Sequence, residues 1–516
     1  VSVLYWSLTQ TKSVYFTSQA TNTTLSLRRR LPLSEFVPPA LCEVPSSLLG
    51  RAAPPEAADH THPASHVNEP YDTSKMAAEH RELQQFFEDH PHTIEPVKKV
   101  LATYHTTYLP CHVADNIDYW REATAHFVKN HSEESVHDDM DPFYMVDMGR
   151  IMMQMAKFKK HLPTVTPYYA VKCNPSIPMI ALLSALGGHF DCASAAELHT
   201  VLDNGFAEPG GVIFANPCKA VADIRKAESM GVRYVTFDNP DELEKLAANM
   251  PSCKAVLRIK TNDAAAQCAF STKFGASMAD VPGLLQRAVE LGVRVVGCSF
   301  HVGSGNNDPA AYVGSVLNAR SVFDQGLALG FEMKFLDLGG GFPGTDPPLD
   351  VHGKPTCLSF EEIADIVNPV LEKHFSSAYI IAEPGRYFSC ASHTVAMNVH
   401  SMRKVPMPNG DTEYQYYVND GLYYSFNSIV YDHAHPLLQL LKPDPESRIH
   451  TTTIFGPTCD SLDCILKRQP FPELSLGEWL FVADMGSYTR AAGCPFNGFE
   501  TKRTEYLCSA PLNFLQ

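Results

Sequence analysis

The chain has 516 residues, 45% hydrophobic and 19% charged, a composition that buries a sizeable core and excludes a fibre or a wholly disordered chain. Acids outnumber bases 57 to 41, for a formal charge of -16, which argues against a nucleic-acid partner and suits a small cationic ligand better. No run of 18 apolar residues offers a membrane span, and the 14 cysteines fall singly with no C-x-x-C pair, which reads as a reduced, cytoplasmic chain.

Residues 1 to 34 lack Asp and Glu and carry Arg28, Arg29 and Arg30, a composition shared by organellar transit peptides and by disordered extensions. His60, His62 and His66 have no carboxylate or thiol partners at ligand spacing, so they read as a polar stretch and no metal is expected. A Pro-rich, aperiodic segment from Pro38 to Pro70 precedes a helical pattern near Met76 to Phe87, where Met76, Leu83, Phe86 and Phe87 recur at helix spacing. Residues 1–90 are therefore expected to be a disordered extension, and 91–147 a segment packing on a later β domain.

From residue 167 onward eight β-rich runs alternate with amphipathic stretches: PYYAV, HFDCA, GVIFA, RYVTF, KAVLRI, RVVGCSF, KFLDL and AYIIA. Each run is apolar on both faces, as parallel strands covered by crossover helices are, so residues 148–392 are expected to form a (β/α)8 barrel of the TIM type. After residue 390 the texture changes to HTVAMNVHSMRKV, a turn at Asn409-Gly410, and TEYQYYVND, a hairpin with no intervening helix. A C-terminal β-rich domain, 393–516, follows.

Barrel chemistry sits at the carboxyl ends of the strands, and these eight runs end in reactive types. They supply Lys172, then Asp191 with Glu197, Arg258, His301 with Ser304, the glycines Gly339, Gly340 and Gly341, and Glu383 with Gly385 and Arg386. Lys172 lies in PYYAVKCN, where apolar neighbours are expected to desolvate its ammonium and lower its pKa for aldehyde capture; a lysine snorkelling to water is the bland alternative. The triple glycine and EPGR follow strands seven and eight, the loops that cradle phosphate in many barrels. Glu383 ends a buried run and needs a partner, either a cationic ring nitrogen or Arg386. Ser194 and Glu197 fit a helix capping box as well as a site.

Together PYYAVKCN, FDCASAAE, HVGSG, DLGGGFPG, EPGRYF, YDHAHP, GPTCDSLD and FNGF, spanning Phe143 to Phe499, resemble the eukaryotic ornithine decarboxylases, pyridoxal-phosphate enzymes of the alanine-racemase-like fold type. The resemblance implies a barrel plus a β domain, with Lys172 binding pyridoxal 5'-phosphate, Glu383 meeting the pyridine nitrogen and His301 stacking on the ring. It assigns the phosphate to Ser304, Gly341, Gly385, Arg386 and Tyr488, with Asp191, Glu197, Arg258, Gly339 and Gly340 around the cofactor. Tyr431, Asp432, Asp460 and Phe496 would meet the basic amino-acid substrate, and Cys459 would give a proton to its α-carbon from the partner subunit of a homodimer. Antizyme enters as a candidate partner. A lysine decarboxylase of the same fold and a silent antizyme-inhibitor-like homologue are the rival readings; Asp460 argues against a diaminopimelate enzyme and Glu383 against a racemase.

Overall fold

A computed structural model of the chain describes residues 73–111, 116–134, 140–262, 265–267, 272–348 and 353–515. The expectations for the arginine cluster, the three histidines and the Pro-rich stretch lie outside the described residues.

The chain is helical from Thr73 to Asp89, so the extension expected to run unstructured to residue 90 is corrected. Leu83, Phe86 and Phe87 share one face of this helix and are buried in the barrel's main core, and Glu82 pairs with Lys160 of the helix Met148–His161 at 2.6 Å. A second helix, Ile94–Thr103, adds Val97 and Leu101 to that core. After the short strand β1 (Thr107–Tyr108), the helix Asn116–Glu134 packs through Trp120 and Phe127 against Phe143, Trp479 and Phe481. β2 (Phe143–Asp147) belongs to the β-domain sheet.

The barrel consists of β3 (Val165–Ala170), β4 (His189–Cys192), β5 (Val212–Phe214), β6 (Tyr234–Phe237), β7 (Lys254–Arg258), β8 (Val295–Ser299), β9 (Phe335–Asp337) and β10 (Tyr379–Ala382). All eight apolar runs became parallel strands, and β10 closes against β3. Tyr168, Ile213, Val256, Val296, Phe335 and Ile381 form a separate cluster drawn from six of the eight strands, so the interior is packed and chemistry is confined to its rim. Gly297 lets β8 approach β9, since a Cβ there would sit 1.7 Å from the Phe335 carbonyl oxygen.

β11 (His393–Pro406) leaves the barrel and pairs with β12 (Thr412–Val418) through the expected hairpin, with Gly410 at φ +90°. The rest of the sheet is β13 (Gln439–Leu440), β14 (Ile449–Phe455), β15 (Cys464–Pro472), β16 (Trp479–Val482) and β17 (Arg503–Cys508). Its main path runs β1-β17-β2-β11-β12-β14-β15, with β16 on β11 and β13. Among the described residues no helix is long and apolar enough to cross a membrane.

Candidate active site

Lys172 occupies a single 3-10 turn, Val171–Cys173, at the carboxyl end of β3, its side chain 43% exposed at the barrel mouth. Its Nζ lies 2.5 Å from Asp191 Oδ2 at the end of β4. Burial alone would depress the ammonium, but the charge and hydrogen bond of Asp191, with Glu383 and Tyr488 nearby, override it and raise the pKa. The expectation of a lowered value is thus corrected: the apolar neighbours in sequence are not the groups the amine faces.

Glu383, 8% exposed, follows β10, and its Oε1 is a buried oxygen with no hydrogen-bond partner. Asp191 Oδ1 and Asp337 Oδ2 are orphaned in the same way. Desolvation first, then the charges of Asp191 and Asp337, hold the Glu383 carboxyl well above the usual range. Desolvation likewise pushes Asp337 up to about 7. Three carboxyl groups therefore face two cations, Lys172 and Arg258, and the Glu383–Asp337 pair keeps a proton that a further cation beside it would displace. The alternative of a Glu383–Arg386 ion pair does not form: Arg386 Nη2 binds Asp432 Oδ2 at 2.6 Å, with its guanidinium 5.2 Å above the Tyr488 ring.

His301 follows β8, and burial, with Arg258 and Lys172 nearby, drives its pKa well below 6.5, so the imidazole is neutral. Its Nδ1 accepts a bond from Gly303 N–H at 3.0 Å. Opposite lie the three glycines. A Cβ would meet the Phe300 carbonyl oxygen at 2.1 Å from Gly339, His301 Nε2 at 3.0 Å from Gly340, and the Gly303 carbonyl oxygen at 2.3 Å from Gly341, which adopts φ +99°. Gly385 similarly abuts Cys173 Cβ at 2.8 Å. Ser304 is half-buried in the turn between Gly303 and Gly305, both at positive φ. Glu197 is taken up by its own helix: its Oε2 accepts from Ala193 N–H at 2.6 Å while Ser194 Oγ accepts from Glu197 N–H at 3.3 Å.

The orphaned Glu383 oxygen, the neutral His301 ring, the lysine and the glycine cradle fit pyridoxal phosphate: a cationic ring nitrogen, a flat apolar face, an aldehyde and a phosphate each have a matching group. A separate cavity of about 310 Å³, lined by Gln154, Gly344, Tyr387 and Asp484 among others, holds none of the residues singled out from the sequence.

The remaining candidates lie on the β domain. Cys459 and Asp460 sit on the exposed loop after β14, where Cys459 N–H donates to Asn497 Oδ1 at 3.0 Å and the Tyr423 hydroxyl donates to Asp460. Phe496, 41% exposed, stacks on Tyr423 with ring centroids 4.4 Å apart, and Tyr431 is 72% exposed. Asp463 is buried and accepts from Leu422 N–H at 2.7 Å and Thr458 N–H at 3.0 Å, so it anchors the loop. Asp337, Tyr423 and Asn497 were not singled out in the sequence; only Asp337 carried a signal, a carboxylate ending an apolar strand as Glu383 does.

Residues 148–390 match the family described as pyridoxal-dependent decarboxylase, pyridoxal binding domain. An ornithine decarboxylase of Leishmania donovani is 47% identical over 439 residues, covering 73% of this chain and 62% of that protein, under two thirds of its length. That of Mus musculus is 45% identical over 395 residues, covering 74% and 84%. An antizyme inhibitor 2 of Xenopus laevis is 43% identical, covering 73% and 83%. Among solved structures, a lysine/ornithine decarboxylase of Vibrio vulnificus complexed with cadaverine superposes with a TM-score of 0.64 at 30% identity, covering 74% and 97%.

Proposed function

This chain belongs to the ornithine decarboxylase family of pyridoxal-phosphate-dependent carboxy-lyases, and we propose that it converts L-ornithine to putrescine and carbon dioxide, the first step of polyamine biosynthesis. The observation that carries the reading is the surplus of buried carboxylate beside Lys172, ending in the unpartnered Oε1 of Glu383.

Lys172 would hold the cofactor through its aldehyde and Glu383 through its ring nitrogen, with the neutral His301 beside the ring and Asp191, Glu197 and Arg258 bordering the site. Gly339, Gly340, Gly341, Ser304, Gly385, Arg386 and Tyr488 would hold the phosphate. When bound there, pyridoxal phosphate supplies a protonated ring that takes up the electron pair left as carbon dioxide departs.

Asp432 and Asp460 bind the distal ammonium of ornithine, two carboxylates on one cation, with Tyr431 and Phe496 beside them. Asp432 is already held by Arg386, so substrate competes for it with the phosphate-side cation. Cys459 holds the proton delivered to the substrate α-carbon.

Exposure of Cys459, Phe496 and Tyr431 supports a homodimer in which each β domain completes the other barrel's site. A cytoplasmic location is part of the reading, supported by the free thiol of every cysteine among the described residues.

The test is carbon dioxide release by the protein loaded with pyridoxal phosphate from L-ornithine, L-lysine, L-arginine and diaminopimelate in parallel. Preference for ornithine is expected, and release from lysine alone would move the specificity while leaving the residue roles intact, because one methylene is worth only about 1–3 kcal/mol. A chain acting only as an antizyme inhibitor releases none and binds antizyme in a pull-down; retention of Lys172, Glu383, Arg386 and Cys459 argues for the enzyme.

A further inference from the structure

We infer that Asn174 is a positioning residue for the decarboxylation, one that, held by His393, pins the Lys172 turn to the β-domain loop carrying Tyr488. The inference rests on reading Lys172 as the cofactor lysine.

A single 3-10 turn has no ladder of its own to fix its orientation, so Lys172 depends on what grips the residues beside it. Asn174, 3% exposed, accepts from Ser176 N–H at 3.1 Å through Oδ1, which sets the amide's orientation. Its two Nδ2 protons then go to the Gly486 carbonyl oxygen at 2.9 Å and to His393 Nε2 at 3.1 Å. His393 can accept only if it is neutral with its proton on Nδ1, and that proton has a place: Ser392 Oγ lies 2.9 Å away. Ser392 in turn donates to the Ser389 carbonyl oxygen at 2.9 Å. Burial, with Arg490 nearby, lowers the His393 pKa to about 3, in keeping with this tautomer.

The chain of donors joins three of the loops around the proposed cofactor site, those carrying Lys172, Arg386 and Tyr488. Two residues beyond Gly486, Tyr488 returns a bond from its N–H to the Cys173 carbonyl oxygen at 3.0 Å, and it holds φ +53°, a backbone state that a side chain of its size rarely adopts unsupported. A parallel arm ties in the helix Arg386–Ser389: Ser389 Oγ lies 2.7 Å from Ser487 Oγ and 3.2 Å from Cys173 Sγ. Lys172, Arg386 and Tyr488 are thus set against one another from behind by groups that are fully paired, and pairing of that kind makes a buried network rigid.

The experiment compares the cofactor-loaded enzyme with Asn174→Asp, which keeps the shape but loses both N–H donors, with His393→Leu and with His393→Gln, whose amide can accept from Asn174 and donate to Ser392. In Asn174→Asp and His393→Leu, kcat for ornithine should fall about tenfold or more while KM stays within about twofold, as expected when a reacting group is misplaced and substrate binding is not. The visible absorption of bound pyridoxal phosphate should shift and the cofactor should dissociate more readily. The double variant Asn174→Asp/His393→Leu should be no worse than the poorer single one, because both break one chain. His393→Gln should recover to within about threefold of the native rate. Native kcat and absorption in a folded, loaded Asn174→Asp enzyme overturns the inference, as does full multiplication of the two single losses. If Asn174→Asp does not fold, the histidine pair decides: loss in Leu with recovery in Gln supports the chain, and equal loss in both overturns it. Lys172→Ala, run alongside, checks the underlying reading separately, since a native cofactor band in that variant would remove the lysine's role whatever Asn174 does.

Discussion

The barrel mouth and the loop after β14 carry the two halves of the proposed chemistry in opposite surroundings. At the mouth, Lys172, Asp191, Glu383 and His301 are brought together by four strands of one closed barrel, where burial displaces the titration of Glu383 and His301 and Asp191 raises that of Lys172. On the loop, Cys459 is exposed and Asp460 half-buried, fastened by Asn497 and Tyr423. The contrast teaches that closure of one barrel can assemble half of a constellation from buried, interacting groups, while the other half is held on its loop by hydrogen bonds alone.

The largest effect should come from the mouth. Lys172→Ala is expected to lower carbon dioxide release from ornithine by about a thousandfold or more, because the cofactor then has no amine to hold it. Next is Cys459→Ala, with an expected loss of about 10²–10³ in kcat and native cofactor binding by absorption, since a proton donor acts after the cofactor is seated. Mixing these two inactive proteins sharpens the comparison: random exchange of subunits gives about a quarter of native activity if each site draws on both chains, and none if each chain is self-sufficient.

Smaller effects follow from the anchors of each half. Asp463→Ala leaves two buried N–H groups unpaired and should cost about 2–3 kcal/mol, read as a lowered Tm, while cofactor binding at the mouth is kept. The last test concerns pH. Asp337 keeps its proton in the folded chain up to about 7, against an ordinary 3.8. Between those values the unfolded chain has lost a proton that the folded chain retains, so the cofactor-free protein should lose stability as pH rises from about 4 to 7. Asp337→Asn should flatten that fall in Tm; an unchanged slope would place the buried proton elsewhere.

The strands were readable because each barrel run is apolar on both faces, a pattern with few other solutions. The lysine, the glycines and Glu383 were readable as strand ends. What escaped was set by partners distant in sequence. The direction of the Lys172 shift depends on Asp191 and Glu383, which no window around PYYAVKCN contains. Arg386 turned to Asp432 on the β domain and away from Glu383, three residues before it. Asn174 and His393 meet across 219 positions, and neither stands in a motif that suggests the other. The helix Thr73–Asp89 had its apolar positions in view, but only the core it covers shows that it belongs to the folded barrel.

Closure of β10 on β3 has a consequence for the order in which the protein can be made. Some 300 residues separate Lys172 from Tyr488, and at about 5–20 residues per second that stretch takes roughly 15–60 s to synthesise. Until β10 is made the lysine stands on an open sheet, and Tyr488 is still unwritten to the end of that interval. Cofactor capture is therefore a late event in the life of the nascent chain, and a yellow ribosome-bound intermediate arrested before Tyr488 is not expected.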